Sequence, residues 1–97
     1  MEFDVAELSL QETYLRMVQL ITPRPIAWVS TLSVDGVPNI APFSFFSGVG
    51  ANPPTVCFAP ANDANGQPKD TLENVRRTGQ FVVNIVTEPV AGAMHRT

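Results

Sequence analysis

Lys69, Asp70 and Thr71 stand together at the start of a stretch that reads as a helix, and that combination can hold an anion. A helix start presents free backbone N–H groups and positive partial charge, which suits a phosphate. Lys69 adds a full charge and Thr71 a hydroxyl donor. The hydroxyls of Ser30, Thr31 and Ser44 and the amide of Asn39 complete such a site if the strands carrying them pass close by. A plainer reading stands beside this one. Asp70 and Thr71 are also capping residues, and a lysine before a helix is commonly just solvated, so pattern alone leaves both open. Other chemistries have no pattern here. There is no nucleophile elbow, P-loop, Cys/His cluster or catalytic carboxylate pair, so no catalytic residue and no metal ligand is assigned. His95, the one histidine, reads as exposed near the end of the chain.

The totals bound the rest. With 97 residues, 44% of them hydrophobic and 15% charged, the chain reads as one domain over residues 1–97 with enough apolar content for a core. A net charge of -3 argues against a nucleic-acid backbone as partner, and disfavours an oligonucleotide-binding small barrel. The single Cys57 excludes an internal disulfide and reads as a buried strand residue. No leader pattern opens the chain and no apolar run is long enough to span a bilayer, so no membrane partner and a cytoplasmic location are the default expectation.

The elements that must position the hydroxyls centre on the stretch from Pro23 to Ser47. It reads as a β-hairpin, with arms from about Pro25 to Leu32 and Val37 to Ser47 around the turn signal Asp35-Gly36. Ile26, Trp28 and Ser30 share one face of the first arm, and Ala27, Val29 and Thr31 the other. Neither face is polar, so both are expected to be covered. Pro38 and Pro42 cannot donate to a ladder, so the second arm is expected at an edge, bulged or broken part-way.

Before the hairpin, Ser9 and Glu12 have capping-box spacing, and a helix is expected from about Leu10 to Leu20. Its stripe of Tyr14, Met17, Val18 and Ile21 is expected to face the core. After the hairpin, 48–54 reads as a loop, Thr55 to Ala59 as a short central strand, and 60–68 as a solvated loop with Asn65-Gly66 as its tightest turn. Residues 69–79 read as a helix with Asp70 as N-cap, Glu73 completing a capping box, and Gly79 at the left-handed C′ position. A strand follows from Gln80 to Val86, with Phe81, Val83 and Ile85 on one face. A last helix begins near Pro89. About four strands are too few to close a barrel, so the chain is expected to be the N-terminal part of a larger domain, or to be completed by a second copy of itself.

Three motifs occur in order: PRPIAWVST, N-x-APFSFF, and KDT-x-x-N followed by G-x-FVVN. Together they resemble the flavin reductase-like, FMN-binding split-barrel family over about residues 10 to 95. The resemblance implies a mainly β fold with α (α+β), an antiparallel split β-barrel, incomplete in this chain because the family domain is longer. It implies a flavin cofactor, FMN or alternatively FAD, and NAD(P)H as co-substrate for hydride transfer. The flavin would carry that chemistry, so the absence of a catalytic constellation is consistent with it. It also implies a homodimer and an oxygenase or other electron acceptor as partner.

On residues, the resemblance places Ser30, Thr31 and Leu32 along the flavin. It places Asn39, Ala41, Pro42, Phe43, Ser44 and Phe45 around its rings and ribityl-phosphate, and Lys69, Asp70 and Thr71 at the phosphate end. Arg24 is either a further phosphate partner or the partner of a surface carboxylate. The competing function is a non-catalytic flavin-binding or dimerisation module derived from a truncated barrel.

Overall fold

A computed structural model describes residues 2–97. Its centre is the hairpin of β1 (Ala27–Leu32) and β2 (Pro38–Phe43). Ser33 closes the turn: its N–H donates to the Val37 carbonyl at 2.9 Å, and its Oγ accepts from the N–H groups of Asp35 and Val37. Gly36 takes φ 80°, the left-handed conformation that makes Asp-Gly a turn signal. The register pairs Thr31 with Asn39, Val29 with Ala41 and Ala27 with Phe43 on one face. Ser30–Ile40 and Trp28–Pro42 alternate on the other. β2 lies at the edge of a three-stranded antiparallel sheet ordered β2-β1-β5, as its prolines require.

The second arm breaks at Ser44-Phe45, and the chain then enters a separate antiparallel pair, β3 (Phe46–Ala51) and β4 (Pro54–Phe58). This corrects the loop expected over 48–54. Glycine-rich composition reads as loop, but a register shift between Gly48 and Gly50 lets the strand continue, and Asn52-Pro53 makes the turn. β4 is not central, and Cys57 is exposed rather than buried, because only the Phe46 and Phe58 end of this pair packs on the rest of the fold.

Helix α1 (Leu10–Leu20) starts as expected, with the Ser9 Oγ accepting from the Glu12 N–H at 3.1 Å. Its apolar stripe does not face a core. Tyr14, Met17 and Ile21 are exposed, Val18 is half-buried, and no residue of α1 is buried. Helix α2 (Asp70–Thr78) corrects the capping assignment: Lys69, not Asp70, is the N-cap, and no side chain caps it. Lys69 is still extended while its carbonyl accepts from the Glu73 N–H, so Asp70 falls inside the first turn, where its charge suits the dipole. Gly79 terminates α2 at φ 70°, donating its N–H to the Val75 carbonyl at 2.8 Å. β5 (Val82–Asn84) is shorter than expected. Phe81 precedes it, with its ring edge-on to Phe58 at 5.1 Å, and Ile85 follows it exposed. A single helical turn then leads to α3 (Ala91–His95), where His95 is exposed.

The core is small: Ala27, Val29 and Phe43 are buried, with Ala41, Phe46, Phe58 and Val83 packed around them. The radius of gyration is 15.3 Å, against about 12.5 Å for a compact domain of this length. Small buried core, open sheets and many exposed apolar side chains have one cause, namely that the two sheets do not close on each other.

Candidate functional site

The site is built on the face of the central sheet that α2 covers. Thr71 and Asn74 lie three residues apart, so both point to the same side of α2, and both are buried. Asn74 Nδ2 donates to Thr31 Oγ1 at 3.0 Å, and Asn39 Nδ2 donates to Thr71 Oγ1 at 3.2 Å. These bonds tie the helix to β1 and β2 across paired residues. Removing the Asn74 amide leaves the Thr31 hydroxyl buried without its donor. Asn74→Ala is therefore expected to lower stability by about 1–3 kcal/mol in urea unfolding, and adding Thr31→Val to recover part of the loss.

At the start of α2 a cleft of about 290 Å³ opens, lined by Asn39, Ala41, Lys69, Asp70 and Thr71. The Lys69 Nζ stands 5.9 Å above the Phe43 ring centroid, although Phe43 does not itself line the cleft. Asp63 and Pro68 complete the rim. Sequence reasoning misses Asp63, because its loop reads as solvated. Its Oδ1 accepts from the N–H groups of Asn65 and Gln67 at 2.9 Å, an Asx turn that the Asp-x-Asn-Gly pattern signals.

The remaining predicted residues lie elsewhere. Ser30, Thr31 and Leu32 line a second, larger cavity of about 790 Å³, between the end of β1 and the segment from Thr78 to Val82; no charged side chain lines it. Pro42 faces the opposite side of the sheet from Ala41 and Phe43, since neighbouring strand residues alternate. Ser44 and Phe45 line neither cavity. They form the break after β2, where Phe45 packs on Tyr14 with ring centroids 5.8 Å apart. Lys69 and Ser44 thus share neither of these cavities, although Phe43, next in chain to Ser44, lies beneath Lys69.

Arg24 shows a role that spacing does not foresee. Its Nη1 donates to the carbonyls of Val18 and Ile21 at 2.9 and 3.0 Å, its Nε donates to Ser44 Oγ at 3.3 Å, and its guanidinium lies 5.6 Å from the Phe45 ring centroid. It satisfies carbonyls at the end of α1 and fastens that helix to the Ser44-Phe45 break. Among the described residues no carboxylate pairs with it; the ion pair present is Glu73–Arg77 at 2.9 Å. Asn84, at the end of β5, donates to both the Trp28 carbonyl and the Ser30 hydroxyl, at 3.0 and 3.1 Å. Asn74 and Asn84 are the asparagines of the third motif, and geometry gives each a partner that spacing did not. No group of potential metal ligands occurs among the described residues, and no helix is long and apolar enough to cross a membrane.

The flavin reductase like domain model matches residues 18–97. The chain belongs to the flavin reductase-like family. An uncharacterized protein of Aquifex aeolicus is 48% identical over 90 residues, covering 93% of this chain and 46% of its own length. Nitrilotriacetate monooxygenase component B from Bacillus cereus superposes with a TM-score of 0.91 at 35% identity, covering 100% of this chain and 49% of its own. Pseudomonas fluorescens 2-nitrobenzoate 2-nitroreductase NbaA gives 0.80 at 35% identity, covering 98% and 45%. The chain therefore has the fold of the flavin reductase-like split-barrel proteins, with antiparallel sheets that do not close a barrel among the described residues, and it spans about half the length of these relatives.

Proposed function

We propose that this chain carries the flavin-nucleotide-binding part of a flavin reductase-like oxidoreductase that passes hydride between NAD(P)H and flavin. The observation that carries the reading is the convergence at the start of α2. Lys69 supplies a cation, and the uncapped helix presents its first N–H groups. Thr71 and Asn39 line the same cleft. That donor set suits a phosphate monoester, and the cleft volume suits a phosphate and its nearest atoms rather than a ring system. We favour FMN because the cleft meets a terminal phosphate; FAD is the alternative. The uncharged cavity beside Ser30, Thr31 and Leu32 is the larger apolar space available for a planar ring.

A bound flavin would supply the hydride-accepting ring, and the residues of this chain bind, orient and shield it. Asp63 and Asp70 at the rim oppose excess negative charge, and Lys69 offsets them. Homodimerisation follows from the open sheet edges and the exposed apolar faces of α1, β3 and β4, which another subunit would cover. A partner oxygenase or other electron acceptor fits the similarity to a monooxygenase component B. The second reading, a flavin-binding or dimerisation module without turnover, is supported by the same open sheet edges and exposed apolar faces.

One experiment separates these readings. The purified chain is titrated with FMN while flavin fluorescence is followed, and NADH and NADPH oxidation is then measured with FMN present. Quenching with turnover supports the oxidoreductase, quenching without turnover supports the flavin-binding module, and unaltered flavin fluorescence removes both and leaves only a dimerisation module.

A further inference from the structure

Four hydroxyls near the candidate site share one hydrogen-bond polarity. Thr71 accepts from Asn39 Nδ2 at 3.2 Å, Thr31 from Asn74 Nδ2 at 3.0 Å, Ser30 from Asn84 Nδ2 at 3.1 Å and Ser44 from Arg24 Nε at 3.3 Å. Among the described residues, no protein acceptor takes the proton of any of the four. Ser9 and Ser33 also only accept, but from backbone N–H groups in a helix cap and a turn. Ser47, Thr55, Thr78 and Thr97 each donate to a backbone carbonyl at 2.7–2.9 Å.

A hydroxyl has one proton and two lone pairs. Once a fixed N–H takes a lone pair, the proton turns away from that donor and remains free to give. Arginine Nε can only donate, and Asn84 is held in its orientation by a second bond from Nδ2 to the Trp28 carbonyl; Asn39 and Asn74 present Nδ2 to their hydroxyls. The cost of the arrangement is highest where Thr71 is 1% and Thr31 is 5% exposed, because a buried polar hydrogen without an acceptor is destabilising. A ligand that brings an acceptor relieves that cost.

We propose that Asn39, Asn74 and Asn84 are positioning residues that aim the protons of the Thr71, Thr31 and Ser30 hydroxyls, which line the two cavities, away from the protein, so that these groups act on a ligand only as donors. The site then selects its ligand by acceptor atoms, phosphoryl and carbonyl oxygens foremost. The choice of FMN as probe rests on the functional reading above. Asn39 takes a different part at the cleft from the one its motif implies: one hydrogen of its amide orients Thr71, and Thr71 donates to the phosphoryl group. Lys69 and the start of α2 add their positive character on the same side.

The test is a double-mutant cycle on Asn39 and Thr71 in the full chain. FMN and riboflavin are titrated by flavin fluorescence, and each variant is checked by thermal melting. Thr71→Val is expected to weaken FMN about tenfold and riboflavin about twofold or less, since riboflavin lacks the phosphate. Thr71→Ser, which keeps the hydroxyl, should bind FMN within about twofold of the parent chain. Asn39→Ala should weaken FMN about tenfold in the parent background but about twofold or less with Thr71→Val present, because the two act as one unit. Equal losses from Asn39→Ala in both backgrounds overturn the proposal and leave the functional reading standing. If Asn39→Ala does not fold, Thr71→Val decides alone: matching losses for FMN and riboflavin overturn the proposal. A parent chain that binds neither flavin overturns the functional reading and this inference together.

Discussion

Phe43→Ala is expected to lower unfolding stability by about 3–5 kcal/mol, enough to populate the unfolded chain at room temperature. The side chain is 6% exposed and is one of three buried apolar residues among the described residues. It fills the angle where β2 ends, packs on Phe58 with ring centroids 5.5 Å apart, and sits across from Ala27 in the β1–β2 register. Few neighbours are free to collapse into the space it leaves. Phe43→Leu keeps most of the volume and should cost about 1.5 kcal/mol or less. Urea unfolding followed by circular dichroism measures both, and a loss below about 1 kcal/mol for the alanine variant would show that Phe43 is not central to the core.

Lys69→Ala is expected to weaken FMN about tenfold while leaving riboflavin within about twofold, because the ammonium acts on the phosphate and not on the rings. Lys69 is exposed, so solvent screens it, and the difference between the two ligands should shrink as salt rises. Lys69→Arg keeps the charge and should keep most of the affinity for FMN. Equal weakening of FMN and riboflavin, or no change with salt, would remove Lys69 from the phosphate end. This measurement is independent of the Asn39–Thr71 cycle, since losing the ammonium leaves the Thr71 hydroxyl and its amide donor in place.

How much of the fold and site is legible in the residues depends on the range of the interaction. The Asp35-Gly36 turn, the Ser9 cap of α1, the Gly79 terminus of α2 and the edge position of β2 are all visible there, because each is set by groups within a few positions of one another. The β3–β4 pair is not. Its glycines give no strand signal of their own, and pairing with a partner strand decides its conformation. The stripe on α1 is a sound helical pattern whose expected burial fails, because burial depends on what lies opposite, and Phe45 against Tyr14 covers only part of it. The cap of α2 moves by one residue, from Asp70 to Lys69, a shift that backbone angles decide and residue preference does not.

The amino-acid sequence by itself determined the hairpin, the helix ends, the grouping of Lys69 with Thr71, and the resemblance to a flavin reductase-like domain. Each of those rests on local preference or on ordered motifs. Only the tertiary structure decided that Arg24 serves Ser44 and the end of α1, that Asn74 and Asn84 serve Thr31 and Ser30, and that the predicted residues divide between two cavities and a strand break. The pairs Arg24–Ser44, Asn74–Thr31 and Asn84–Ser30 stand 20 to 54 positions apart in the chain. At that separation, the strand register and the seat of α2 on the sheet select the contact, and no local spacing encodes either.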